Sequence, residues 1–377
     1  MKYNLIVLAF IFLVSCRQDK NKQGVDISLL EHSTPTEELT LSMLTDNVEM
    51  VALMTSPESL IKFPKKIQVS GNHIFVLSGN EILVFGTNGE FLRKIGTPGR
   101  GPGEFKFVND FAISDKGIMV ILEGKPQVIY IYNQDGEQLK KIEAHPKALS
   151  LTIHKQCIVV HNGNTELNEE ISFTGYNLDG EQLFTRANSI TFSGPKIGIY
   201  GFVSECNFFV LKGDLYAKEL HCDTVQRFTG SGFEPGFQLN SNGKAYLPQH
   251  RADFRQYDIA DYLYVRNLLS SQGLVMVIFQ YHKSSNILIF DSELSLLRSY
   301  SFSNGIYDDL VTGRAIKTIN QAGDGRLYFL INAHEIVNNL GKGFDIAEIS
   351  SRVGRAIKID DNPIVVFFTP DKIVSNN

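Results

Sequence analysis

The sequence predicts an all-β fold, a six-bladed β-propeller closed by an N-terminal strand in its last blade, with a short helical insertion near the C-terminus. Three observations carry this expectation. Short runs rich in Ile, Val, Leu and Phe, bounded by Gly and Asn, recur along the chain, and runs of that length suit buried strands better than helices. Turn glycines return at Gly89, Gly136 and Gly180, 47 and 44 residues apart, a period that fits four-stranded blades. An apolar run, Val48–Met54, stands ahead of the first repeat, and Pro363–Thr369 offers it a partner at the other end of the chain.

Taken in order, the chain opens with a targeting segment. Lys2 supplies a positive charge, and Leu5–Val14 is an apolar stretch too short to span a bilayer as a helix. It ends in Leu13-Val14-Ser15-Cys16, which resembles a bacterial lipobox. Cleavage before Cys16 would free an amine for acylation, and its thiol would take a diacylglycerol. Residues 1–15 then form the signal peptide, 16–26 a polar tether from lipidated Cys16, and 27–377 the propeller.

The repeat unit is clearest in Ile74–Phe105. Two apolar strands lead to Asn88-Gly89, read as a type I′ hairpin turn, and Glu90–Ile95 returns. Val128–Tyr132 before Asp135-Gly136 and Ile171–Tyr176 before Asp179-Gly180 repeat the pattern. Ile287–Tyr300 keeps the strands but places Ser292-Glu293 at the turn. Blades are expected at about 61–97, 105–144, 147–188, 200–247, 260–302 and 315–370, the last completed by 47–54. Pairing 47–54 beside Pro363–Thr369 removes the open edges that a ring of sheets would otherwise carry. Between strands two and three of the last blade lies an insertion, Ala333–Asp361. Its Phe344, Ala347, Ile349, Val353 and Ile357 have partly helical spacing, which predicts a short helix over one face.

Gly96–Phe105 (GTPGRGPGEF), the apolar–Asp-Gly–Glu repeats and the terminal DDNPIVVFF together resemble the six-bladed β-propeller lipoproteins of Bacteroidota, which are related more distantly to NHL-repeat propellers. The resemblance spans about residues 25–370. It implies the fold and an outer-membrane lipoprotein, periplasmic or surface-facing, rather than a particular activity.

Composition narrows the function. A net charge of −5 gives no hint of a nucleic-acid surface, so no nucleic-acid partner is expected. Of four cysteines, Cys16 is assigned to lipid, leaving Cys157, Cys206 and Cys222, an odd number that argues against a disulfide framework. A hairpin around Lys212–Asp214 would set Cys206 beside Glu219 rather than Cys222. The run around Gly99, Gly101 and Gly103 lacks the Lys-Ser/Thr of a phosphate loop. It is read as a stiff crossover, with Arg100 and Glu104 pairing with each other or with neighbouring blades. There is no HExxH and no GxSxG. No catalytic residue, metal ligand or cofactor is therefore assigned.

Antiparallel blades send their strand one–two and three–four turns to one face, and their two–three loops and crossovers to the other. The second face is expected to carry binding. Its candidate residues are Arg100, Glu104, Asp110, His161, His221, Asp308 and Asp309. The resulting expectation is a lipid-anchored cell-envelope propeller, a non-catalytic binding or scaffold module for a glycan, peptide or envelope protein. The alternative is a metal-assisted hydrolase or lyase with its site at the channel mouth. Convergence of three or more of those carboxylates and imidazoles would favour the alternative.

Overall fold

A computed structural model describes residues 24–99, 101, 104–198, 204–338 and 345–375. Cys16 and its leader lie outside the described residues, as do Arg100, Pro102, Gly103 and Phe344.

Six antiparallel sheets follow one another in chain order. Blade one is Pro64–Ser70, His73–Ser78, Glu81–Gly86 and Phe91–Ile95. Blade two is Val108–Ile113, Met119–Gly124, Gln127–Tyr132 and Gln138–Glu143. Blade three is Ala148–His154, Cys157–Asn162, Ile171–Tyr176 and Gln182–Ala187. Blade four is Cys206–Leu211, Asp214–Glu219, Thr224–Phe228 and Phe233–Asn240. Blade five is Tyr264–Ser271, Leu274–Tyr281, Ser284–Phe290 and Leu296–Ser301. Blade six takes Asn320–Gln321, Leu327–Ile331 and Ile364–Phe368 from the C-terminal end and Val48–Ala52 from the N-terminal end. The result is a six-bladed β-propeller.

The apolar runs are continuous because each sheet is covered on both sides. In Glu81–Gly86, Ile82 and Val84 join Phe111, Ile121 and Tyr130 in the core between blades one and two. Leu83 and Phe85 point the other way, into the core shared by blades six and one. Six such clusters fill the six junctions between neighbouring sheets.

Closure pairs Val48 with Phe368 and Ala52 with Ile364 in antiparallel register. The N-terminal segment does more than the sequence indicated. Asp26–Ser28 adds a fifth, parallel strand to blade four, with Asp26 opposite Gln238. The segment then bridges blade five at Glu38–Ser301, touches Tyr307 through Thr40, and forms the helix Leu41–Leu44 before entering blade six. It is a strap across the outer edges of three blades. The C-terminal helix Asp371–Ser375 docks on it, with Lys372 Nζ 2.9 Å from Ser42 O and 2.6 Å from Asp46 Oδ1.

The insertion in blade six holds the expected helix, Ile346–Arg352, whose Ile349 is buried in the core between blades five and six. A second short helix, Ala333–Val337, precedes it. The three–four turns differ from the sequence reading. Only Gly89 (φ 85°), Gly136 (φ 86°) and Gly180 (φ 86°) are left-handed; Asn88, Asp135 and Asp179 are not, so these turns are not type I′. The chain instead makes a tight turn ending in a left-handed residue, with a bulge in the returning strand. Asn133 and Asn177 fix two of these turns by accepting the Glu137 and Glu181 N–H at 2.9 and 2.8 Å. In blade five Asp291 plays that part, and Leu294 (φ 64°), not Ser292-Glu293, takes the glycine position.

Gly89 also seats the closing strand. Its carbonyl accepts the Met54 N–H at 2.8 Å, and a Cβ there would lie 2.3 Å from Ala52 O. At Gly136 the nearest atom to such a Cβ is 3.6 Å away. Gly136→Ala is therefore expected to cost about 1 kcal/mol, from backbone strain alone. Gly89→Ala should cost distinctly more, because it also displaces Val48–Ala52. Urea unfolding midpoints of the two variants check this order; equal losses would contradict it.

Candidate functional site

The crossover face is uneven. Over blades one, two and five the two–three connections are tight pairs, Gly79-Asn80, Lys125-Pro126 and His282-Lys283. Over blades three and four the described parts of one long crossover, 188–198 and 204–205, lie together with a second, 241–263. Ile197 N–H and Gly198 N–H donate to Ala252 O at 2.9 and 3.2 Å. Gly198 leaves room for the Phe254 ring, whose Cε1 would stand 2.5 Å from a Cβ at that position.

A buried ion pair holds the two crossovers in place. Arg251 Nη2 donates to Glu205 Oε1 at 2.6 Å, and both side chains are almost fully enclosed. Glu205 Oε2 accepts the Asn164 N–H at 3.0 Å, and Asn164 Nδ2 reaches Ile190 O at 2.8 Å. The blade-three two–three loop is thus tied to both crossovers. Beneath it, Arg186 Nη1 lies 3.0 Å from Glu219 Oε2, and His161 Nε2 lies 4.0 Å from Glu219 Oε1. Burial pushes the Glu219 carboxyl above its usual range, a shift opposed by Arg186. Burial also holds the His161 imidazole neutral, its pKa down at about 3. His221 is similar, at about 4 through burial, with Nδ1 2.7 Å from Tyr246 O.

Above this support the second crossover presents aromatic rings. His250 and Tyr262 stack at 3.9 Å, Tyr257 stands 5.1 Å from His250, and buried Tyr246 lies 6.0 Å from it. Tyr257, Tyr262 and His250 are half-buried, while Phe254 and Ile197 are exposed. Flat apolar faces edged by hydroxyl and imidazole groups form a platform that can stack on a ring-shaped ligand and hydrogen-bond its rim.

His221 lies against Tyr246 of this platform, whereas His161 packs on Phe173 in blade three beside Glu219. Asp110 is on the inner strand of blade two, where it joins three blades: it accepts from Lys66 Nζ at 2.8 Å and from the Leu151 N–H at 2.9 Å. Glu104 accepts the Gly101 N–H at 2.7 Å, and its carboxylate fills the space a Cβ on Gly99 would need. Asp308 is buried under a tight turn, accepting N–H groups of Leu310, Val311 and Thr312 at 3.2, 3.0 and 3.0 Å. Burial raises its pKa against those bonds. Asp309 binds the Ser42 N–H and hydroxyl and so fastens the strap. Arg100 lies outside the described residues. Among the described residues no three His, Cys, Asp or Glu side chains are placed to share a metal ion. Cys157, Cys206 and Cys222 are free thiols, and Cys206 pairs in register with Glu219.

The Glu205–Arg251 pair and the aromatic platform were not anticipated. One signal was present: Tyr246, His250, Phe254, Tyr257 and Tyr262 crowd into a single inter-blade crossover, with Tyr264 just after it.

Residues 25–369 match the model of a family described as "Domain of unknown function (DUF4934)". Two solved structures share the fold. One is a Bacteroides fragilis protein described as exported, 16% identical, with a TM-score of 0.66 over 91% of this chain and 98% of that one. The other is a member of the DUF4221 family from Bacteroides vulgatus, 12% identical, with a TM-score of 0.54 over 89% of this chain and 98% of that one. No curated protein matches the sequence.

Two outcomes follow for the support beneath the platform. Arg251→Ala leaves Glu205 buried without its cation and is expected to cost about 3–5 kcal/mol, whereas Glu205→Leu/Arg251→Met should recover much of that loss. Thermal melts of the single and double variants check it. Second, His161 and His221 bind protons more readily unfolded, near pH 6.5, than folded. Their contribution therefore destabilises the fold as pH falls below about 6.5, by up to about 1.4 kcal/mol per pH unit for each imidazole. Comparing wild type with His161→Gln between pH 7 and 4 should show a shallower fall in the variant; parallel curves would contradict the buried, neutral assignment.

Proposed function

We propose that this chain, which belongs to the DUF4934 family, is a lipid-anchored cell-envelope binding module that presents its crossover face to a glycan. One observation carries the reading. Two long inter-blade crossovers come together over blades three and four and expose stacked aromatic rings on a rigid, buried ionic support. Tyr and His rings offer flat apolar faces with polar edges, and a pyranose ring has the same division. The identified side chains serve stacking and hydrogen bonding, and none is given a catalytic part.

The anchor reading rests on Leu13–Cys16. Asp26–Ser28 runs parallel to Phe233–Asn240, which climbs from the turn face to the crossover face. The strap therefore runs toward the crossover face where it joins blade four. Among the described residues no helix is long and apolar enough to cross a membrane.

Binding is tested by screening the protein on a glycan array. Tyr257→Ala and Tyr262→Ala should each abolish the signal or weaken it at least about tenfold, stacking residues at a small site having hot-spot character, while melting changes little. Signals that survive both substitutions, or a peptide ligand that displaces no glycan, would overturn the glycan reading. Anchoring is tested separately: Cys16→Ala is expected to move the protein out of the membrane fraction or to leave an uncleaved precursor. A processed, membrane-bound variant would overturn it.

A further inference from the structure

A second surface lies on the same face, over blades one and two, and uses none of the aromatic platform. Phe63 is 73% exposed and Phe107 51% exposed, and Leu60 is exposed beside them. Far apart in sequence, these groups meet through backbone contacts. Lys62 N–H donates to Ser78 Oγ at 3.1 Å, and Gly79 N–H to Phe63 O at 3.3 Å. Asn80, next in line, donates to Lys106 O at 2.8 Å, and Phe107 O accepts the Gly124 N–H at 2.7 Å. Lys65 Nζ rests over the Phe107 ring at 4.8 Å.

Positive charge predominates here. Lys62, Lys65, Lys106 and Lys125 are all exposed, and among the described residues none of these four ammonium groups enters an ion pair. Four of the nearby acids are engaged. Asp110 binds Lys66, Glu81 binds Lys94, and Glu123 turns inward to Tyr130 Oη and the Lys106 N–H. Glu104 caps the Gly101 N–H, which leaves Glu58, Glu143 and Asp360 as exposed acids at the edge. In a chain of net charge −5 this is a local reversal of sign. Exposed phenylalanines framed by unpaired cations are the usual composition of an interaction surface rather than of idle solvent-facing loops.

We propose that this patch docks an acidic polypeptide segment carrying apolar side chains, with Phe63 and Phe107 as the contact centre and the lysines as its electrostatic frame. The inference goes beyond glycan recognition. The choice of occupant rests on the complementarity of an acidic, apolar segment to the four lysines and two phenylalanines; a bilayer is the competing occupant that the vesicles test.

The test uses the chain from residue 17 onward, which retains every described residue. The probes are a fluorescein-labelled peptide alternating Glu and Leu, its Lys–Leu counterpart, and vesicles of phosphatidylcholine with phosphatidylglycerol. Wild type should bind the Glu–Leu peptide and not the Lys–Leu peptide, more weakly as salt rises. Lys62→Glu/Lys106→Glu, at two exposed side chains without contacts of their own, should weaken binding about tenfold or more. Phe63→Ser should weaken it several-fold, and Lys140→Glu/Lys141→Glu on the outer strand of blade two should leave it unchanged. Failure to bind the acidic peptide overturns the proposal. So does equal weakening by the blade-two control, which would mark the attraction as unspecific, or patch-dependent capture of vesicles without peptide binding. A failed glycan array leaves these outcomes untouched, so the two readings stand or fall separately.

Discussion

The molecule depends on one pairing, that of Val48–Ala52 with Ile364–Phe368. Each sheet of a propeller is stable because neighbours cover both of its faces, and the ring has no natural first or last member. Without the N-terminal strand, blade six would end in an open edge of five consecutive buried residues. The core between blades six and one, which includes Val51, Leu53, Val365 and Phe367, would lose one of its walls. The strap extends this constraint. By adding a strand to blade four and bridging blade five, it ties three outer edges to the same segment that closes the ring.

Much of this architecture was legible because its determinants are local or repeated. Two-sided burial makes each inner strand a continuous apolar run, and the run length and the glycine period together separate strands from helices. The closing strand was legible for a different reason: an apolar run outside the repeat needs a partner. Other features were hidden because they depend on geometry that residue types do not encode alone. Asn-Gly and Asp-Gly satisfy both a two-residue type I′ turn and a tight turn followed by a bulge. Asn133 and Asn177, upstream of the glycine, decide the matter by capping the returning Glu N–H. Leu294 takes the left-handed position without any glycine signal, as do His282 and Lys283 in the two-residue turn of blade five.

The site was less legible than the fold. Asp110, Asp308 and Asp309 sit near the expected face, but each carboxylate is engaged by protein groups: inter-blade bonds for the first, a tight turn for the second, the strap for the third. Acidic residue type alone does not distinguish those uses from ligand binding. Conversely, Glu205 and Arg251 are far apart in sequence and meet only because two crossovers fold over the same blade junction. The two faces of the propeller thereby divide their roles. Short, capped turns finish one face, while long crossovers and exposed aromatic or cationic groups vary the other.

The central claim, that the ring is held by its N-terminal strap, is tested most directly by strand complementation. A chain beginning at residue 55 lacks both the closing strand and the rest of the strap. Alone it should unfold without a single cooperative transition, and adding a peptide of residues 24–54 should restore one sharp melt at a higher temperature. A truncated chain that melts as sharply and at the same temperature as the full chain, indifferent to the peptide, would contradict the account.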